Sequence, residues 1–323
     1  MRSLSHRLAA LAAAAALTLS AAACGSSGSS TASAPGGTAA AAGRGSFPAT
    51  ISTAIGVVHV KSRPAAIISL SPTATEMLYA IGAGSQVKAV DSDSDYPPQA
   101  PRTKLDALDP NLEAIVAYRP DLVVISNLSD NFDSLAKSLA GFSIPVLYLP
   151  APPGLSGVYS EFDQLGRATG HLSQAEREDM SLRTQISRIV ASVPRRARPV
   201  SYYYELDQTY YSVTSATFVG SLLALLGMKS IADTASGAAS SGGYPQLSSE
   251  YIVKANPAYI ILADTVCCHQ DAATVAARPG WSSLTAVKEG HIIPLNDDIA
   301  SRWGPRIVDL LRTVATDITK GSG

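Results

Sequence analysis

Charge is scarce in this 323-residue chain: 16% of its positions are Asp, Glu, Lys or Arg. Residues 1–23 hold Arg2 and Arg7 and no acid, so their removal leaves 23 basic residues against 26 acidic, a net charge of −3. That balance lacks the basic footprint of a nucleic-acid binder. Beyond residue 23 no apolar run reaches transmembrane length. His-Glu-x-x-His is absent, and no Gly-x-Ser-x-Gly elbow occurs in the part able to fold. No nucleophile–base pair emerges either, so the chain reads as a non-enzyme. The five histidines are scattered, with His6 among the first residues, which leaves no converging ligand set for zinc or manganese. Gly82 and Gly84 lack the third glycine of a dinucleotide loop and follow a helical pattern rather than a strand.

What is present starts at the N-terminus. Arg2 and Arg7 precede an apolar stretch, Leu8 to Leu19, too short to span a bilayer comfortably. The stretch ends in Ser20-Ala-Ala-Ala-Cys24, which resembles the bacterial lipobox. The resemblance implies a signal peptide over 1–23, cleavage before Cys24 and a diacylglyceryl group on its sulfur. An Ala-rich signal with an incidental cysteine is the alternative. Apart from Cys24, Pro35 and Arg44, residues 24–46 are Gly, Ser, Thr and Ala, and cannot bury a core. They read as a flexible tether with a reach of about 25 Å. A lipid anchor with a slack tether suits a body working at the extracytoplasmic face of a membrane.

From Phe47 onward, short apolar runs alternate with helical patterns. Strands are expected at 65–71, 85–91, 121–126 and 144–149. A helix is expected over 72–82, with Thr73 and Glu76 at capping-box spacing. Another should start at Asp109-Pro110, Asp109 as its cap. Residues 173–193 form a long helical pattern, with Ser173 and Glu176 as a second capping box and Pro194 as its end. Alternation then resumes: a strand at 199–206, helices near 216–226 and 249–255, a strand at 259–264, helices near 272–277 and 282–287, a strand at 291–295 and a helix over 305–319. The expected fold is α/β: two Rossmann-like lobes, 47–170 and 196–323, joined by one long rigid helix over 171–195. Ligands of such sheets bind outside the carboxyl ends of the strands, so the cleft lies between the lobes.

The stretches RPAAIISLSPTATEMLYAIGAGSQVKAVDSDSDYPPQA (63–100) and NLEAIVAYRPDLVVIS (111–126) resemble the first lobe of the cobalamin and ferric-siderophore periplasmic binding proteins. YPQLSSEYIVKANPAYIILAD, RPGWSSLTAVKEGHIIPLNDD and GPRIVDLL resemble the second lobe, so the likeness covers about 63–318. It implies one ligand in the interlobe cleft, delivered to an ABC importer permease by a monomeric receptor with no cofactor of its own. Any cobalt or iron arrives inside the ligand. The SDYPPQA stretch points to the cobalamin-binding members, with a ferric-siderophore or haem receptor as the alternative and a direct zinc or manganese receptor behind it.

The resemblance also implies that Glu76 docks to permease arginines; completing the Thr73 capping box is its local alternative. The family's second docking glutamate has no counterpart, because Met228 stands at that place and Glu250 is a weak substitute. Tyr96, in a loop after a strand, offers a ring to a flat ligand, or else packs on Pro97 and Pro98. In the 202–213 stretch, alternation puts Tyr202 and Tyr204, or Tyr203 alone, in the core, and leaves Tyr210 and Tyr211 for the cleft wall. Arg302 and Trp303 offer a charge and a stacking plane to the ligand. Asp297 joins the ligand set, unless it or Asp298 pairs with Arg302 or Arg306 and fixes the loop.

Cys267 and Cys268 are adjacent, so no redox Cys-x-x-Cys exists. Neighbouring sulfurs rarely reach one metal without strain. A vicinal disulfide at the cleft lip ranks first, two free thiols second and a metal third; none is catalytic.

Overall fold

The computed structural model of the chain describes residues 45–126 and 132–320. The signal peptide, Cys24 and all of the tether but its last two residues lie outside the described residues. The first described element is an antiparallel hairpin, β1 (Ala49–Thr53) and β2 (Gly56–Val60), in register from Ala49 opposite Val60 to Thr53 opposite Gly56. Sequence patterning missed it because Ile55, Val57 and their neighbours are exposed on one side and give no apolar run.

Then comes the first lobe: β3 (Ile67–Leu70), α1 (Pro72–Ala80), β4 (Val87–Val90), α2 (Leu112–Val116), β5 (Leu122–Ile125), α3 (Phe132–Gly141) and β6 (Val146–Tyr148). Its strands form a parallel sheet in the order β4-β3-β5-β6. Two helices follow, α4 (Leu155–Thr169) and α5 (Leu172–Ser192). The second lobe holds β7 (Val200–Glu205), α6 (Phe218–Leu225), β8 (Met228–Ser230), α7 (Ser249–Ala255), β9 (Tyr259–Leu262), α8 (Ala272–Ala276), α9 (Thr285–Lys288), β10 (Ile292–Pro294), α10 (Asp297–Ser301) and α11 (Ile307–Lys320). Its strands are parallel in the order β10-β9-β7-β8.

The two sheets share one winding. In each lobe the second strand lies outside the first, and the third and fourth lie on the first strand's other side. The switch point thus falls between β3 and β5 in one lobe and between β7 and β9 in the other, where open α/β sheets leave their ligand crevice. Helices cover both faces of such sheets. Hence Tyr202, Tyr203 and Tyr204 are all fully buried, where simple alternation expects one side exposed.

The helix caps differ from the capping-box spacing. Ser71, not Thr73, caps α1, its side chain accepting from the Ala74 N–H at 3.1 Å, with Pro72 in the first turn. Asn111, not Asp109, caps α2. The N-cap of α5 is His171, which makes no side-chain cap bond; its Nε2 is turned to Gln86 Oε1 at 3.0 Å and Arg63 Nη2 at 2.7 Å. Spacing marks where a helix begins but not which neighbouring polar residue turns inward. Helix α4, absent from the sequence reading, packs on α5, Gly166 lying against Leu172 and Ala175, and buries Phe162 and Leu165. One apolar cluster runs from Ile67, Met77 and Leu122 through Phe162 and Leu182 to Tyr202, Ile261 and Leu311, and so belongs to both lobes.

Candidate ligand cleft

Helix α1 starts at the carboxyl end of β3, so its first turns face the crevice. Glu76 sits there and is 2% exposed. Two guanidinium groups from the segment after α10 reach it. Arg302 Nη1 donates to Oε1 at 3.0 Å; Arg306 donates through Nε to Oε2 at 2.9 Å and through Nη2 to Oε1 at 2.5 Å. Gly304 lies between them, and a Cβ there would meet Glu76 Oε2 at 3.4 Å, an ordinary van der Waals contact. Glu76 therefore faces the protein's own second lobe here, closed off from an external arginine.

Four hydrogen bonds hold Arg302. Besides Glu76 it donates to Asp95 Oδ1 at 3.0 Å, to the Asp93 carbonyl at 2.9 Å and to Asp298 Oδ1 at 2.6 Å. Burial raises the Asp298 carboxyl above its usual range, against the pull of Arg302. Of the two aspartates, Asp298 is thus the one that fixes Arg302. Asp297 holds the neighbouring loop, accepting the N–H of Val266 at 2.9 Å and of Cys267 at 2.7 Å. That loop carries a Cys267–Cys268 disulfide, with α-carbons 3.8 Å apart.

Trp303 bridges the lobes, its indole N–H donating to Glu161 Oε2 on α4 at 2.8 Å. Burial drives the Glu161 pKa up to about 8, so the group is largely neutral at pH 7 and accepts the indole bond as a carboxylic acid. Tyr210 leaves the crevice: its ring stacks on Trp281 at 5.7 Å inside the second lobe. Tyr211 stays outward, 41% exposed, on a segment bridged to Gln246. Beside it Tyr244 is 43% exposed. In the first lobe Tyr96 is 41% exposed, with the Arg306 guanidinium 4.3 Å from its ring centre. Met228 is buried in β8, whereas Glu250 is exposed in the first turn of α7.

Sequence reasoning overlooked Glu161, Tyr244 and a buried set formed by Glu205, Asp264 and Arg278. The first lies on the unread helix α4. The acids do carry a signal, since each closes an apolar strand run at its carboxyl end. Among the described residues no three His, Cys, Asp or Glu side chains converge to hold a metal ion, and no helix is long and apolar enough to cross a membrane. A groove of about 750 Å³ lies elsewhere, along the flank of α5 beside Arg195, Arg198 and Leu225, away from both switch points.

Two switch-point crevices that meet through Glu76, Arg302 and Arg306 are the geometry of a two-lobed binding protein. The family described as "Periplasmic binding protein" matches residues 67–299. The chain belongs to that family. An ABC transporter substrate-binding lipoprotein of Bacillus subtilis, YvrC, is 30% identical over 280 residues, covering 84% of this chain and 86% of the relative. A vitamin B12-binding protein of Pectobacterium carotovorum is 30% identical over 260 residues, covering 79% and 89%. Among solved structures, a protein of Staphylococcus epidermidis described as a possible iron-binding, periplasmic solute-binding protein superposes with a TM-score of 0.68 at 27% identity, over 80% of this chain and 99% of that one. The vitamin B12 binding protein BtuF of Vibrio cholerae shares the fold, with a TM-score of 0.66 at 23% identity over 80% and 98%. As a periplasmic binding protein the chain is the extracytoplasmic substrate-binding component of an ABC importer, a transport component rather than an enzyme.

Proposed function

We propose that this binding protein, held to the membrane through a lipidated Cys24, captures cobalamin or a related corrinoid between its lobes and hands it to the importer's permease. One observation carries the reading. The cations of the crevice are spent: Arg302 and Arg306 serve Glu76, Asp95 and Asp298. The ring of Tyr96 is exposed beside Arg306, and the rings of Tyr211 and Tyr244 are exposed on the second lobe. Flat, uncharged faces suit a broad ring system fringed with neutral amides, and they offer little to an anionic ferric chelate. The vitamin B12-binding relatives agree with this choice. Lobes sharing one apolar cluster also favour capture with little hinge motion.

A ferric-siderophore or haem receptor is the second reading, supported by the iron-binding description of the Staphylococcus epidermidis structure. Equilibrium dialysis of the purified protein against cyanocobalamin, cobinamide, haemin and ferric siderophores separates the two. Saturable sub-micromolar uptake of a corrinoid supports the first; uptake of ferric chelates alone replaces it with the second.

A further inference from the structure

Glu205 ends β7 and Asp264 follows β9, the strands that flank the second lobe's switch point. Both are fully buried. The strands are hydrogen-bonded neighbours, and the Ala263 N–H donates to the Glu205 carbonyl at 2.9 Å, which sets the two acids side by side. Arg278 commits to one of them, giving Nη1 and Nη2 to the Glu205 oxygens at 2.6 Å each. It is held flat by Trp281, 4.6 Å from the ring centre, and by Tyr210 at 5.5 Å. Asp264 receives nothing comparable, since neither of its carboxyl oxygens meets a donor.

The same guanidinium supports the disulfide loop. Arg278 Nη2 donates to Gln270 Oε1 at 2.7 Å, and Gln270 Nε2 donates to the Cys268 carbonyl at 3.1 Å. The Gln270 backbone N–H closes the loop onto the Asp264 carbonyl at 3.3 Å. From the other side Asp297 takes the Val266 and Cys267 N–H groups. The titratable groups facing Asp264 are Glu205, Tyr203 and Tyr204 from β7 and Arg278 from beyond α8. His269 lies on the loop itself and is exposed. Burial, then Glu205, raise the Asp264 pKa to about 7, against the pull of Arg278.

We propose that Arg278 and Gln270 are positioning residues for ligand capture: one proton held by the Asp264–Glu205 pair leaves Arg278 undivided, and Arg278 through Gln270 sets the Cys267–Cys268 loop as the second lobe's wall of the cleft. This rests on the interlobe crevice being the capture site. Losing the proton leaves two buried carboxylates and one guanidinium. Arg278 is then drawn toward Asp264, Gln270 loses its support, and the loop slackens.

The test reads the loop and the ligand separately. Amide exchange over 264–271 is followed by mass spectrometry in the full chain at about pH 5.5 and about pH 8.5, with Asp264→Asn and Gln270→Ala beside the wild type. Cyanocobalamin affinity is measured by equilibrium dialysis on the same samples. Relative to Asp264→Asn at each pH, the wild-type loop is expected to exchange equally at the lower pH and roughly tenfold faster at the higher. Wild-type affinity should fall in step and the Asp264→Asn affinity should not. Gln270→Ala should show the slack loop at both pH values while keeping the denaturation midpoint of a folded protein. A ratio of wild-type to Asp264→Asn exchange that is the same at both pH values overturns the proposal, as does a cyanocobalamin affinity indifferent to Gln270→Ala. No cyanocobalamin uptake at any pH, with exchange as expected, removes the corrinoid reading and upholds the role of the pair in setting the loop.

Discussion

Glu76 of the first lobe and Arg306 of the second are joined by two hydrogen bonds, Nε to Oε2 at 2.9 Å and Nη2 to Oε1 at 2.5 Å, with the carboxylate out of reach of solvent. A buried charge that loses its partner is costly. Glu76→Ala leaves Arg302 and Arg306 facing each other, and should lower the unfolding free energy by about 3 kcal/mol. Urea denaturation checks it. An unchanged midpoint together with weakened binding to the permease would instead mark Glu76 as a docking residue that turns outward.

Three carboxyl groups are pushed up to a definite value, each through burial first: Asp91 to about 6, Asp264 to about 7 and Glu161 to about 8. A raised acid keeps its proton in the folded chain after the unfolded chain has lost it. Stability from such a group is full below the unfolded pKa and falls as pH rises to the folded one. For Glu161 that window runs from 4.5 to about 8. Glu161→Gln, which still accepts from Trp303, should gain on the wild type across it, by at most about 1.4 kcal/mol per pH unit. Denaturation curves for the two proteins at several pH values measure the gain; parallel curves would refute it.

Tyr210 and Tyr211 are adjacent yet face different ways. Tyr211→Ala and Tyr96→Ala should each weaken cyanocobalamin binding by about five- to tenfold, the contribution of a stacked ring. Tyr210→Phe keeps the ring on Trp281 and should leave affinity alone. Dialysis of the three variants decides between them, and a reversed order would move the cleft wall.

The Cys267–Cys268 bond encloses no intervening residue, so it removes little freedom from the unfolded chain. Cys267→Ser with Cys268→Ser should therefore barely move the thermal midpoint while weakening ligand binding. Alkylation of the unfolded protein should label both cysteines only after reduction. Labelling before reduction would establish free thiols instead.

Legibility differed by element. Helix α7 follows the expected 249–255 to the residue, because Ser248 precedes a clear apolar period and Asn256 closes it in a left-handed turn. Strands β3, β5 and β9 appear as apolar runs buried at every position, the mark of burial on two faces. The hairpin of β1 and β2, three-residue β8 and helix α4 left no such trace. In the cleft, sequence could name Arg302, Asp297 and Trp303, and the local pairing of Asp298 with Arg302, but not the distant partners. Those partners lie on distant parts of the chain: 226 residues separate Arg302 from Glu76, and 142 separate Trp303 from Glu161. Spacing along a chain carries no information about such pairs, whereas a fold brings them within 3 Å.

The apolar cluster that runs from β3 through α4 and α5 to β9 and α11 has a thermodynamic consequence. Each sheet keeps a smaller cluster of its own, around Ile68 and Ile125 in one lobe and Tyr203 and Ile260 in the other, but packs its other face into the shared cluster, so melting one lobe strips apolar cover from the other. Calorimetry of the ligand-free protein should show a single cooperative transition with equal calorimetric and van't Hoff enthalpies, a property of one domain rather than two. A receptor built this way cannot sacrifice one lobe to release its cargo; it must give up the ligand while wholly folded.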